Sequence, residues 1–199
     1  MFMLFILLPF SVAAQETLSW DDEDFLYYER GNQNFSFAAG TKLPLFTYFP
    51  VTNETDTEKF TFAGWYGSIG WERFLSSSFA LGGELAYSSN GIVNGRRLVQ
   101  VPVMFTARWY TLQNQFDIPL TLKAGGVFNS LNDEGDQAYL GPILAPSVEF
   151  LWKALDAWSF GIEASYWFTP EFYFGDKRDQ TAIGNFLTIA VTATFTNRD

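Results

Sequence analysis

The sequence contains no cysteine and no histidine. Without cysteine there is no disulfide framework, no lipobox residue for acylation and no thiolate nucleophile. Without histidine the side chain most often used as a general base is missing. Basic residues are scarce too: 12 Lys and Arg stand against 22 Asp and Glu, for a net charge of −10 and a pI near 4.4. Such a surface has no counterions to release from a polyanion, so nucleic acid is excluded as a partner. Charged residues make up only 17% of the chain, below the roughly 25% of soluble domains. Beyond residue 14, no run approaches the 18 or so apolar residues of a membrane helix. What the chain has instead is aromatics, 19% of its residues, including 22 Phe and 7 Trp.

The start of the chain differs from the rest. MFMLFILLPFSVAAQ carries an apolar core from Phe2 to Phe10 and the small residues Val12, Ala13 and Ala14 before Gln15. That pattern predicts an export signal over 1–14, cleaved before Gln15. The acidic stretch that follows has no period of 2 or 3.6, and 15–33 is read as a periplasmic lead-in.

From Asn34 onward the pattern is apolar-polar alternation, the period of a strand. Eight runs of about ten to fourteen residues follow one another, joined alternately by short turns and long polar loops. SFALGGELAYSS sets Phe79, Leu81, Gly83, Leu85 and Tyr87 on one side and Ala80, Gly82, Glu84, Ala86 and Ser88 on the other. The large aliphatic and aromatic residues recur on one face of every run, and Gly, Ala, Ser and Thr on the other. A soluble sandwich would turn its large side chains inward and its charges outward. Here the large face suits lipid and the small face suits a lumen narrow enough for side chains to fill. Trp71, Trp109, Trp152 and Trp158 fall beside the short turns, where an interfacial aromatic belt belongs. The reading is all-β: an eight-stranded antiparallel transmembrane up-and-down β-barrel over 34–199, with runs expected at about Phe60–Phe74 and Tyr139–Leu151 among others.

Two hairpins repeat. GWERFLSSSFALGGELAY aligns with SVEFLWKALDAWSFGIEASY, matching Glu72 to Glu149, Glu84 to Glu163 and Tyr87 to Tyr166. Duplication of a four-strand half and convergent barrel geometry both produce such a match. On the same parity Glu72, Glu84, Arg108, Lys123, Glu149 and Glu163 point into the lumen, near the short-turn end. They are expected to form one charged layer that plugs the periplasmic half, with Glu84 beside Arg108 and Lys123 beside Glu149, because charges in a narrow interior must be paired. Toward the long loops the inward residues are Phe60, Phe62, Tyr66, Leu98, Val127, Ile143 and Trp167, an apolar outer lumen that either fills itself or takes a small hydrophobic ligand.

The eight-run layout, the exported N-terminus, the Gly-rich hairpins and the final strand LTIAVTATF resemble small outer-membrane β-barrel proteins of the OmpW, OmpX and OmpA-transmembrane type. The resemblance covers about Asn34 to Phe195. It implies the bacterial outer membrane as location, outer-membrane lipid and the barrel-assembly machinery as partners, and, through the OmpW type, binding of small hydrophobic molecules. A Ser or Thr nucleophile would need a base other than histidine, and nothing in the sequence marks one, so no enzymatic activity is expected. The loop Asn132-Asp133-Glu134-Gly135-Asp136 lacks the spacing and closing Glu of a calcium loop, so no metal or cofactor is expected. The function read from the sequence is a structural or surface role, with host contact through the long loops. Uptake of hydrophobic molecules and a secreted lipocalin-like binding protein are the alternatives.

Overall fold

A computed structural model describes residues 28–57, 63–91, 97–111, 115–132, 137–172 and 181–198. The expected export signal, most of the lead-in, Phe60, Phe62 and the acidic groups at 21–24 and 133–136 lie outside the described residues.

Eight long strands form the wall: β1 (Gln33–Phe49), β3 (Gly64–Ser76), β4 (Phe79–Gly91), β5 (Arg97–Tyr110), β7 (Pro119–Asn132), β8 (Gln137–Lys153), β9 (Trp158–Glu171) and β10 (Ala182–Asn197). Two short pieces join them, β2 (Glu54–Asp56) against the end of β1 and β6 (Phe116–Asp117) against the end of β8. Each long strand pairs antiparallel with the next, and β10 returns to β1 from Gln33↔Asn197 onward. That last pairing closes the sheet, so the wall has no free edge, which a lipid-facing sheet cannot carry.

All eight expected runs are strands, though several are longer than their hydrophobic alternation. Spanning a bilayer takes about 9–11 tilted residues, whereas β1 and β8 each have 17. Their surplus continues into polar sequence that reads as loop: NSLNDEGDQ is strand up to Asn132 and again from Gln137. Backbone pairing needs no apolar side chains, so a hairpin outside the membrane can continue the ladder in polar residues. Of the second run, expected from Phe60, the described part is strand from Gly64 onward, and Phe60 lies outside the described residues.

The face assignment follows from the two sides of the wall. Phe37, Ile69, Leu85, Val103, Phe105, Leu122, Ile162 and Val191 all project outward and are exposed, Phe105 at 82%. Burying such surface in lipid rather than water is worth roughly 25 cal/mol per Å², so this band identifies the wall as membrane-spanning. Trp71, Trp109 and Trp152 are exposed at the short-turn end, and Trp65 is exposed at the loop end of β3. The inward face of β10 is small and polar, with Thr188, Ala190, Thr192, Thr194 and Thr196 all buried. These residues leave room in the lumen for longer side chains from the opposite wall. Gly82 does the same beside Glu72: a Cβ there would lie 2.7 Å from the Cβ of Glu72 and 2.0 Å from the Trp71 carbonyl oxygen.

The lipid assignment is checked by Val103→Arg, in the middle of the outward face of β5. The substitution should cost about 2–4 kcal/mol in urea unfolding from lipid vesicles. A loss below about 0.5 kcal/mol, as expected of a water-exposed surface position, would contradict a membrane-embedded band.

Candidate functional site: a layered lumen

The inward parity places Glu72, Glu84, Arg108, Lys123, Glu149 and Glu163 in the lumen, and all six are buried, none above 6% exposed. They meet as two clusters at different levels rather than one layer. Nearer the short turns, Arg108 Nη1 lies 3.3 Å from Glu72 Oε1 and 3.3 Å from Glu149 Oε2. The second cluster stands on β4, β7 and β9, where Lys123 Nζ lies 2.7 Å from Glu84 Oε2 and 2.8 Å from Glu163 Oε1. Lys123 also reaches Glu163 Oε2 at 3.1 Å, so that carboxylate is held by both oxygens.

The expected partners, Glu84 with Arg108 and Lys123 with Glu149, are not the observed ones. Register explains the difference. Arg108 stands opposite Ala80 on β4, and Lys123 stands opposite Ala145 on β8. Each expected partner is therefore four residues further along its strand, about 13 Å away at the usual rise. Long side chains cross the lumen instead and meet carboxylates at their own height.

Neutral donors complete both clusters. Tyr110 OH donates to Glu72 Oε1 at 2.8 Å and Asn34 Nδ2 to the same oxygen at 3.2 Å. Thr192 donates to Glu149 Oε1, Arg108 Nε donates to Thr121 Oγ1 at 3.1 Å, and Tyr66 OH donates to Glu84 Oε1 at 3.2 Å. The Arg108–Glu149 contact is an ion pair without hydrogen-bond geometry, since Nη1 and Oε2 have no hydrogen-bond partner. The Lys123 cluster, with short and bifurcated bonds, is the tighter of the two.

Below the Arg108 cluster, at the short-turn end, lies an aromatic floor. The turn at Glu29–Asn32, in which Gly31 takes φ +105°, is pinned by Gly31 N–H to the Phe74 carbonyl at 2.9 Å. The turn brings Tyr28 under the barrel. Tyr28 stacks on Phe74 with ring centroids 4.3 Å apart and lies 4.6 Å from Tyr110. Its hydroxyl donates to Asp117 Oδ2 at 2.8 Å, and Lys153 Nζ pairs with the same oxygen at 3.2 Å. Burial pushes the Asp117 carboxyl up, against the opposing pull of Lys153 and of the Tyr28 bond. Burial and the negative charge of Asp117 hold the Tyr28 phenol well above its ordinary value, so it remains a donor. A sequence without period gave no sign that Tyr28 folds inward; its Cα is outside every strand, and only tertiary contacts fix it.

Above the Lys123 cluster, Tyr66, Leu98, Val127, Ile143 and Trp167 lie with Met104 and Phe186 in one buried cluster. Their side chains pack on one another, Trp167 edge-on to Tyr66 at 5.6 Å. A groove of about 790 Å³ lies elsewhere, on the lipid side of the wall, where Gly83 leaves a gap between Phe37, Trp71, Leu81 and Phe105. One inward residue stands apart. Lys42 is fully buried, with its Nζ over the rings of Trp167 and Phe186.

A protein-family model matches residues 15–195, which takes in all but the last two residues of the barrel wall. The chain belongs to that family. Its fold is that of small eight-stranded outer-membrane β-barrels. Neisserial surface protein A superposes with a TM-score of 0.59 at 9% identity, over 83% of this chain and 96% of that one. The outer membrane protein OprG from Pseudomonas aeruginosa gives 0.54 at 10% identity, over 88% of this chain and 100% of that one. A comparison with curated protein sequences found no match. With its outward apolar band, closed sheet and this fold, the protein is an outer-membrane barrel.

The pairing is checked by double-mutant cycles on heat stability. Lys123→Met, which leaves Glu84 and Glu163 facing each other, should cost about 3–5 kcal/mol. The Glu84→Gln/Lys123→Met cycle should show a coupling of about 0.5–3 kcal/mol, and the Glu84→Gln/Arg108→Gln cycle a smaller one. The reverse order would contradict the observed partners.

Proposed function

We propose that this outer-membrane barrel is a closed, non-enzymatic protein with a structural and surface role, in which the wall and its filled lumen serve as a rigid mount for the loop end. The observation that carries this reading is the pair of cross-lumen clusters, in which Arg108 and Lys123 each bridge two carboxylates. An ion crossing the barrel would have to separate buried charge pairs, each costing several kcal/mol to break. The Tyr28 floor adds a second barrier on the periplasmic side.

The strands that outlast the bilayer support the surface role. β1 and β2 continue as a hairpin past the wall, with Thr47↔Asp56 and Phe49↔Glu54 paired, so the loop end is presented on a ladder. A host surface contacted through the loops is the partner this reading assigns. Close packing of Tyr66, Met104, Trp167 and Phe186 favours self-filling of the outer lumen over a pocket for a small hydrophobic ligand. The exposed apolar band speaks against a secreted lipocalin-like protein. A chain without histidine supports the absence of a hydrolytic role.

Planar-bilayer recordings of the purified protein, together with binding of an apolar fluorophore, test the reading. The wild type is expected to give no discrete conductance steps and no saturable binding. The triple variant Glu84→Ala/Lys123→Ala/Glu163→Ala, which empties the upper cluster without leaving an unpaired charge in it, should remain closed at the Arg108 level. Conductance by the wild type would overturn the closed barrel, and saturable fluorophore binding would restore the hydrophobic-ligand reading.

A further inference from the structure

Lys42 is the inward cation that the two ion clusters leave out. It lies on β1 with every atom buried, and among the described residues no carboxylate pairs with it. Its ammonium meets two neutral acceptors and two rings. Nζ donates to Ser88 Oγ at 3.2 Å and to Gln100 Oε1, and it sits 4.3 Å from the Trp167 ring centroid and 3.9 Å from that of Phe186. An ammonium desolvated against ring faces is held by their negative quadrupoles, most strongly at a buried site. Groups of this kind, arranged around a cation without a counter-charge, are how proteins recognise organic ammonium compounds.

Gln100 and Trp167 are each held by a partner other than Lys42. Gln100 is oriented from behind by its own Nε2 donating to Asn129 Oδ1 at 2.6 Å. That bond aims Oε1 at the ammonium. Trp167 is braced by Tyr66. Asn90 Nδ2 donates to the Lys42 backbone carbonyl at 3.0 Å, a bond that any residue at 42 would keep. The Asn90 Oδ1 left over is buried without a partner, one more acceptor in this layer and none of its donors. Ser88, Gln100, Trp167 and Phe186 stand on four different strands, so the wall itself sets their spacing.

We propose that the outer lumen contains a recognition cage for an organic ammonium group, and that Lys42 occupies it as a tethered ligand for which a free alkylammonium compound can substitute. The inference is independent of the surface role, because it concerns what the cage selects and not what the loops contact.

Lys42→Ala removes the atoms of n-propylammonium and leaves the cage. The folded fraction of the full chain, read in detergent as the band that shifts on heating, is expected to fall and to recover with millimolar n-propylammonium. The isosteric 1-propanol should act more weakly by a factor on the order of ten, the ratio set by the charge–ring term. The reading holds whether Lys42→Ala is merely destabilised or does not fold alone, because recovery is scored in both cases. In Lys42→Ala/Trp167→Leu the preference for the ammonium over the alcohol should disappear. The wild type, its cage filled, should respond to n-propylammonium at least tenfold less than Lys42→Ala. Equal recovery by alcohol and ammonium, no recovery by either, a preference that survives loss of Trp167, or an equal response of the wild type would each overturn the proposal.

Discussion

A charge inside a narrow barrel wall can neither reach water nor be left alone, and this constraint organises the lumen. Four carboxylates and two cations meet in two clusters there, and each cation is bracketed by two carboxylates. The Tyr110, Asn34, Thr192 and Tyr66 donors spread the surplus negative charge over neutral hydrogen bonds. Other features follow from that need. β10 contributes threonines, whose short side chains make space and supply hydroxyls, and Gly82 gives Glu72 room where a methyl group would collide.

The internal repeat acquires a physical meaning in this arrangement. Glu72 and Glu84 stand on the β3–β4 hairpin, and their counterparts Glu149 and Glu163 stand on β8 and β9. Between them lies the β5–β7 hairpin, which carries Arg108 and Lys123. Matched positions in the two copies therefore flank the same cation: Glu72 and Glu149 share Arg108, and Glu84 and Glu163 share Lys123. The repeat unit is a hairpin that supplies one carboxylate to each cluster, and the intervening hairpin supplies one cation to each.

Much of this was legible in the chain. Alternation located eight strands, and the six charges given one parity are all buried, because side-chain direction in a strand depends only on position. Partners were not legible. Adjacent strands are staggered in a tilted barrel, so nearness in strand order put Glu84 with Arg108, whereas height along the lumen decides the contact. Strand ends were misread where pairing continued through polar residues, as at Asn132 and Gln137. Tyr28 left no pattern to find, since one inserted side chain has no period. The ring partners of Lys42, Trp167 and Phe186, lie more than a hundred residues away and become neighbours only when β10 closes on β1.

The placement of both cations on one central hairpin also governs the order in which the wall can enter a membrane. A β5–β7 hairpin inserted alone would carry Arg108 and Lys123 into hydrocarbon with no counter-charge, and a flanking hairpin alone would carry two bare carboxylates. Either half-step costs several kcal/mol per ion. Neutrality improves only as neighbouring hairpins arrive together, which disfavours strand-by-strand insertion and favours a sheet assembled before it crosses. The ion clusters thus make the bilayer accept the barrel as one unit.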